Sequence, residues 1–521
     1  MDTFSIRLAE LMAALSLVTD LGMGQPLEYA LSSCVLSMRL GEALKLDETQ
    51  LREVYYQALL RYIGCNVETH LLATIVGDEM ALRHDIAQVD TADTLAIVNL
   101  FARFIRQANT DASPLQLARL IAQGVLSMPR IKNSFVGHCE VAQRLAERFG
   151  FDHSIVRGLG QLYARWDGRG VPAVQGEDIA TAVRVVTLAQ DAVIFHQLGG
   201  VQAAVAIARE RKGAAYAPDV VECFCQHAPQ LMTGLDREPT WEAVLALEPG
   251  KQTFLSDEQF DAACRAIADF VDIKSPFLLG HSAGVGDLAA KAGRRAGLPP
   301  DDVIALRRAG LLHDLGRTGV SAGIWEKPGP LSEREWEQVR MHPYHTERVL
   351  ARPAALARLG TLASLHHERL NGSGYHRSLP AAMLSPSARI LAAADAYHAM
   401  IEPRPYRPAR LPEQVADELR RETRSGRLDG DAVQAVLAAA GQHVSGARRE
   451  LVAGLSEREV EVLQLLARGQ TMKQIADKLV ISKKDGRQSH SAYLQQDQCV
   501  YSRRGDPVCA RAQPVAGRRA K

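Results

Sequence analysis

Apolar residues recur three and four positions apart along almost the whole chain, as at 51–63, 303–312 and 411–419. That spacing lines one face of a helix. Alternating, β-branched runs are scarce, so the pattern predicts an all-α fold. The abundance of Ala, Leu and Arg agrees, since these are good helix formers. Turn residues break the periodicity at 234–239, 248–253, 327–329 and 402–408. With 521 residues the chain is too long for one core. The breaks divide it into an N-terminal half over 1–235, a connector over 236–276, a central domain over 277–410, a helical extension and linker over 411–454, and a small helical module over 455–482.

The two halves repeat each other. His281 precedes His313-Asp314 by 32 residues, and Tyr29 precedes Arg61-Tyr62 by the same 32. Leu-Leu-His-Asp-Leu-Gly at 311–316 matches Leu-Leu-Arg-Tyr-Ile-Gly at 59–64. His342 precedes His366 by 24 residues, as His138 precedes Leu162. The segment 367–375, His-Glu-Arg-Leu-Asn-Gly-Ser-Gly-Tyr, matches 163–171, Tyr-Ala-Arg-Trp-Asp-Gly-Arg-Gly-Val, and 389–395 matches 184–190. Four coincident offsets point to a duplication.

Seven residues of the central domain form a chemically suggestive set: His281, His313, Asp314, His342, His366, His367 and Asp395, all within 115 residues. Imidazoles mixed with carboxylates suit two divalent transition-metal ions (iron, manganese, zinc or nickel) better than magnesium. An aspartate between two cations can bridge them. Such a pair clamps the attacking and leaving oxygens of a phosphoester displacement and lowers the pKa of a bound water. A lone His-Asp pair would carry little weight, but the ordered set with a Gly-rich segment after it carries much more.

Around these residues stand His-Asp-Leu-Gly-Arg at 313–317, Lys-Pro-Gly-Pro-Leu at 327–331, His342-Pro343, His-His-Glu-Arg-Leu-Asn-Gly-Ser-Gly-Tyr at 366–375, Asp395, and Arg-Pro-Tyr-Arg at 404–407. Together they resemble an HD-GYP domain, a subgroup of the HD phosphohydrolases. The resemblance implies a helical bundle and hydrolysis of a cyclic dinucleotide such as cyclic di-GMP. It implies one metal on His281, His313, Asp314 and Asp395, and a second on His342, His366 and His367, with Asp314 bridging. His313, Asp314 and Arg317 would be catalytic, and Arg317, Gly374 and Tyr375 would face the substrate. Three positions depart from the family pattern. Arg317 stands where Lys is usual, which keeps the charge but changes its geometry. His376 replaces the last residue of Gly-Tyr-Pro. Phe277 occupies the place of a Glu that serves a third metal in some members, so two metals are expected.

The N-terminal half reads Tyr29, Arg61, Tyr62, Leu162, Tyr163 and Gln190 at the ligand positions, and only His138 keeps its type. It is expected to be a degenerate HD-like domain that packs, senses or dimerises. Its 166–170 segment reads as a structural turn, and His84-Asp85 as surface. The fold expected overall is two tandem HD-like helical bundles followed by a partial helix-turn-helix and a tail.

At 455–469 a Ser456–Glu459 capping box opens a helix that Gly469 ends. A second helix follows over 471–479, then Val-Ile-Ser482. This resembles the first half of a LuxR-type helix-turn-helix, which implies DNA contacts by Thr471, Lys473, Gln474, Ser482 and Lys483. A recognition helix should follow. Instead the periodicity vanishes from Lys484. Permitted codons for Asp485 onward, read one base later, give TVGNHIAHIYNKISVSTRAAAILYA, which resembles the missing helices, so a frameshift near codon 484 is expected. The remaining tail, 483–521, has nine Lys or Arg against three Asp or Glu, a local formal charge of +6. It reads as disordered, with weak, salt-sensitive attraction to DNA phosphates and impaired DNA binding.

Whole-chain charge changes the picture little: at +1 it argues neither for nor against nucleic acid. Eight cysteines lack CxxC spacing, and Cys223 and Cys225 are too close for the usual zinc pair. A free-thiol cytoplasmic protein is the expectation, with no signal peptide and no membrane span. Three readings remain open at this point: a metal-dependent phosphoric diester hydrolase in a signalling protein, which could be a homodimer, a nucleotide-sensing transcription regulator with little catalysis, or an interaction scaffold whose histidines are vestigial.

Overall fold

The computed structural model describes residues 6–235 and 240–442, together with 500–501 and 507–508. Two compact units result, Met1–Gln442 and His443–Lys521. In the second, the described residues are two short antiparallel strands, Val500–Tyr501 and Pro507–Val508. The partial helix-turn-helix, with Thr471, Lys473, Gln474, Ser482 and Lys483, lies outside the described residues, as does the rest of the tail.

The first unit is helical, as the periodicity predicts, and has two helix-rich lobes. Beyond helices its described strands are a single antiparallel pair, Ile6–Arg7 with Phe254–Leu255. In the first lobe the helices Tyr29–Ala43, Glu48–Leu60 and Thr181–Glu210 pack together. The last of these is long and apolar enough to cross a membrane by length and composition. It breaks into two at Gly199–Gly200 and buries Val185, Val186, Ala189 and Val193 against its neighbours. In the second lobe His281–Arg295 packs on Pro300–Leu312 and Pro386–Ile401. Gly286 and Gly310 let the first two approach closely: a Cβ on Gly310 would lie 2.5 Å from the Gly286 Cα.

Local sequence sets the helix ends. Ser113, Ser256 and Ser332 each accept a hydrogen bond from the amide three residues on, with Gln116, Gln259 and Glu335 closing the capping boxes. Pro300, Pro386 and Pro412 occupy first helical positions, where a missing N–H costs nothing.

The duplication read from the sequence is visible in geometry. Asp20 accepts from the Ala30 amide at 3.1 Å, and Asp272 from the Ser282 amide at 2.9 Å. Glu28 and Gly280 precede matching helices with φ of 74° and 79°. A Cβ on Gly64 would lie 2.1 Å from the His138 carbonyl oxygen, and one on Gly316 2.0 Å from that of His342. The Val171 amide donates to Tyr163 O at 3.0 Å, and the Tyr375 amide to His367 O at 3.2 Å.

The lobes also interlock. Helix Leu8–Gly22 packs on the 3-10 turn Leu315–Gly319, and Asn66 Nδ2 donates to the Phe270 carbonyl at 3.2 Å. Within the stretch read as a connector, helix Asp257–Asp272 packs on Pro300–Leu312 and His281–Arg295.

Candidate metal centre

His281 opens its helix, and His313 and Asp314 follow the end of Pro300–Leu312. His342 opens His342–Leu350, His366 and His367 lie just beyond Ala357–Ala363, and Asp395 sits within Pro386–Ile401. Five elements thus bring the seven side chains into one cluster. All are buried except His367, which is partly buried.

Backbone carbonyls orient three of the rings. Nδ1 of His313 lies 2.7 Å from Gly310 O, that of His342 2.5 Å from Val339 O, and that of His366 2.8 Å from Ala363 O. A carbonyl can only accept, so each Nδ1 carries a proton, and in the neutral tautomer that results Nε2 turns a bare lone pair inward. The Nε2 atoms of His342 and His366 stand 3.1 Å apart. Two facing lone pairs at that separation repel unless a cation lies between them.

Asp314 stands at the centre. Its Oδ2 is 3.6 Å from His281 Nε2 and 3.1 Å from His313 Nε2. Its Oδ1 is 3.4 Å from His342 Nε2 and 3.5 Å from His366 Nε2. Asp395 Oδ1 lies 3.4 Å from His281 Nε2, and its Oδ2 3.7 Å from His367 Nδ1. Asp314 Oδ1, Asp395 Oδ1 and the Nε2 atoms of His281 and His313 are buried without a hydrogen-bond partner. Buried polar atoms are normally satisfied, and divalent cations would satisfy these. The groups His281–His313–Asp395, His313–Asp314–His366 and His342–His366–His367 each place three ligand atoms within 4.8 Å of one another. The clusters are compatible with two divalent-metal sites.

Protonation fits the same reading. Burial raises Asp314, but Arg317 and His313 outweigh it and hold the carboxyl well below its usual range. Burial lowers His366 to about 4 and also lowers His342 and His367. Ionised carboxylates and neutral imidazoles are what a metal requires of its ligands. His281 differs: burial pulls it down, but Asp395 and Glu402 lift it to about 9.

Of the expected substrate-facing residues, Arg317 pairs through Nε with Asp314 Oδ2 at 2.8 Å and lies 4.6 Å over the Trp325 ring. Tyr375 packs on His367 with ring centroids 4.6 Å apart. A Cβ at Gly374 would meet the Glu368 Cα at 2.5 Å, so the loop closes only with glycine there.

Residues 265–432 match the family described as HD domain, and residues 453–485 match the luxR family of bacterial regulatory proteins. The 3'3'-cGAMP-specific phosphodiesterase 3 of Vibrio cholerae serotype O1 is 29% identical over 412 residues, covering 77% of this chain and 88% of the relative. A cyclic di-GMP phosphodiesterase of Thermotoga maritima is 35% identical over 150 residues, 28% of this chain and 40% of the relative. The crystal structure of a V. cholerae cyclic GMP-AMP-specific phosphodiesterase, V-cGAP3, superposes with a TM-score of 0.57 at 26% identity, covering 84% of this chain and 98% of that one. The chain has an HD-domain, HD-GYP-like phosphodiesterase fold. Its HD domain supports metal-dependent hydrolysis.

The first lobe carries other side chains at the matching positions. Tyr29 OH donates to Gln190 O at 3.2 Å and its ring stacks on Tyr62. Arg61 donates to Leu162 O at 2.5 Å. His138 is held on both nitrogens: Nε2 contacts Glu68 and Nδ1 lies 2.8 Å from Tyr163 OH, while Arg83 pairs with Glu68 at 2.8 Å. This network ties His138 to neighbouring side chains of its own lobe. Among the described residues no metal-holding group occurs in the first lobe. The 166–170 segment is a turn in which Asp167 accepts from Arg165 and from the Arg169 amide. His84 is exposed and Asp85 pairs with Arg103.

Four HD-domain residues escaped the sequence reading. Glu402 Oε2 lies 2.8 Å from His281 Nδ1, and its Oε1 3.3 Å from His398 Nδ1. Burial raises Glu402, but these histidines hold it to about 2. Spacing could have found both, because 398 and 402 follow Asp395 by three and seven, on the same helical face. Glu368 accepts from the Arg377 and Leu379 amides at 2.8 and 2.9 Å and shapes the 371–379 loop. Trp325 carries no motif that would reveal its place under Arg317.

Proposed function

We propose that the HD domain hydrolyses a phosphodiester bond of a purine cyclic dinucleotide, 3'3'-cGAMP or cyclic di-GMP. The observation that carries this is the division of Asp314 between two histidine pairs, one to each carboxylate oxygen. On that geometry His281, His313 and Asp395 would hold one cation and His342, His366 and His367 the other, with Asp314 serving both. When bound, the cations supply Lewis-acid stabilisation of the reacting phosphoryl oxygens and acidify a water. Arg317, propped on Trp325, offers its terminal nitrogens to a non-bridging phosphate oxygen while Nε stays with Asp314. Tyr375, whose hydroxyl burial keeps protonated, donates a hydrogen bond at the rim. Gly374 lets the loop close over the nucleotide.

The substrate class is supported by relatives whose names specify 3'3'-cGAMP or cyclic di-GMP. We place the protein in the cytosol, where such nucleotides signal. The luxR match supports a second role, nucleotide-responsive DNA binding. That role is impaired here, because no recognition helix is legible after Lys483.

Purified full-length protein, loaded with manganese or iron, is expected to linearise at least one of the two nucleotides. His313→Ala and Asp314→Ala should each lower kcat/KM roughly a hundredfold or more. Tight nucleotide binding with no product would make the protein a sensor instead. Less than about one metal per chain would remove the binuclear centre altogether.

A further inference from the structure

We infer that Glu79, a carboxylate of the degenerate first lobe, is a positioning residue for the Arg317 side of the HD domain's metal centre. Glu79 begins helix Glu79–Ile86, which Asp78 caps by accepting from the Ala81 amide at 3.0 Å. Its side chain is fully buried, and it reaches out of its own lobe. Oε2 accepts from Ser321 Oγ at 2.6 Å and Oε1 from the Ala322 amide at 2.9 Å. Lys274 Nζ lies 3.9 Å from Oε1 and donates to the Thr318 carbonyl at 2.6 Å.

These contacts fall on the short helix Ala322–Trp325 and the turn before it. Ser321 is the cap of that helix and accepts from the Gly323 amide at 3.2 Å. Glu79 therefore satisfies an amide and a hydroxyl at a helix start too short to hold itself. The same helix ends in Trp325. Its ring carries Arg317 at 4.6 Å and meets His342 edge-on at 5.5 Å. On the other side, Thr346 donates to His313 O and accepts from the Gly316 amide, both at 2.9 Å. The 314–325 segment is thus clamped by its own domain through Thr346 and Lys274, and by the other lobe through Glu79. A second approach of the lobes fixes the register: a Cβ on Gly323 would lie 2.7 Å from Gly77 O.

A buried carboxylate with two donors from another lobe is costly unless those donors stay in place. Losing them frees Ser321 and Ala322, and with them the platform under Arg317. The first lobe, having lost its own ligands, here supplies part of its neighbour's scaffold. The catalytic arm of the test rests on the proposed role of Arg317, and the structural arm does not.

The test uses the full-length chain. Hydrogen exchange across 315–325 should quicken roughly tenfold in Glu79→Ala, with metal content unchanged. Ser321→Ala removes one hydroxyl from the same contact and should quicken the same segment more mildly. It carries the test if Glu79→Ala does not fold. With cyclic dinucleotide, Glu79→Ala should lower kcat/KM roughly tenfold, yet by less than about twofold in an Arg317→Ala background. Unaltered exchange over 315–325 in both variants overturns the inference. So does an equal fold-loss with and without Arg317. If the wild-type chain hydrolyses no cyclic dinucleotide, the proposed function fails while the exchange result still decides the role of Glu79.

Discussion

Each of three imidazoles around Asp314 has one nitrogen already committed to a carbonyl three residues earlier, which leaves the other nitrogen to face inward. His281 is held differently, by the carboxylate of Glu402 on its Nδ1. Such outer partners fix ring orientation and raise ligand basicity. Glu402→Gln is therefore expected to weaken metal binding about 10–100-fold, read by competition titration against a chromophoric chelator. An affinity equal to that of the wild type would leave His281 oriented by its helix alone. The seven clustered side chains were legible because imidazole and carboxylate at fixed spacings have few other uses. Glu402 was less legible, since a lone glutamate near a helix end reads as surface, and only its phase relative to Asp395 marks it.

At the scale of elements, two lobes with different chemistry keep the same joints. The turn after Leu59-Leu60 and the turn after Leu311-Leu312 each press a glycine against a histidine carbonyl, Gly64 on His138 and Gly316 on His342. A methyl group at either position must displace backbone. Gly64→Ala and Gly316→Ala are each expected to destabilise the fold by roughly 1–3 kcal/mol, measured by urea unfolding. Gly316→Ala alone should also lower metal content, because the carbonyl it displaces belongs to His342, a proposed ligand. If Gly64→Ala were silent, the first lobe's turn would be looser than its twin. Helix type and the repeat were readable from periodicity and matched spacing. The filling of the degenerate site was not. The sequence shows that the matching positions 29, 61, 62, 162, 163 and 190 lack histidine and aspartate, but Glu68 reaches His138, and Arg83 reaches Glu68, only through folding.

On the scale of the whole first unit, Lys274 and Glu79 tie the lobes together in a fully buried contact. Burial pulls Lys274 down from 10.5 to about 8, although Glu79 opposes the shift. Between those pH values the unfolded chain keeps a proton that the folded chain has released, so this group makes stability rise with pH across that window. Wild type should therefore gain on Lys274→Met by on the order of 2 kcal/mol between about pH 7.5 and pH 10, read from urea unfolding at both values. A constant difference would mean that the amine titrates alike in both states.

What the sequence determined by itself was the class of the fold, the matched spacings of its two halves and the set of histidines and aspartates that cluster, since these depend on periodicity and on which side chains can bind a cation. The tertiary structure alone decided that Asp314 faces two histidine pairs at once, that Glu402 backs His281, and that a glutamate from the spent lobe holds up its neighbour. Those facts depend on distances between residues up to 243 positions apart, and contacts across such separations are set by how helices pack rather than by any local pattern.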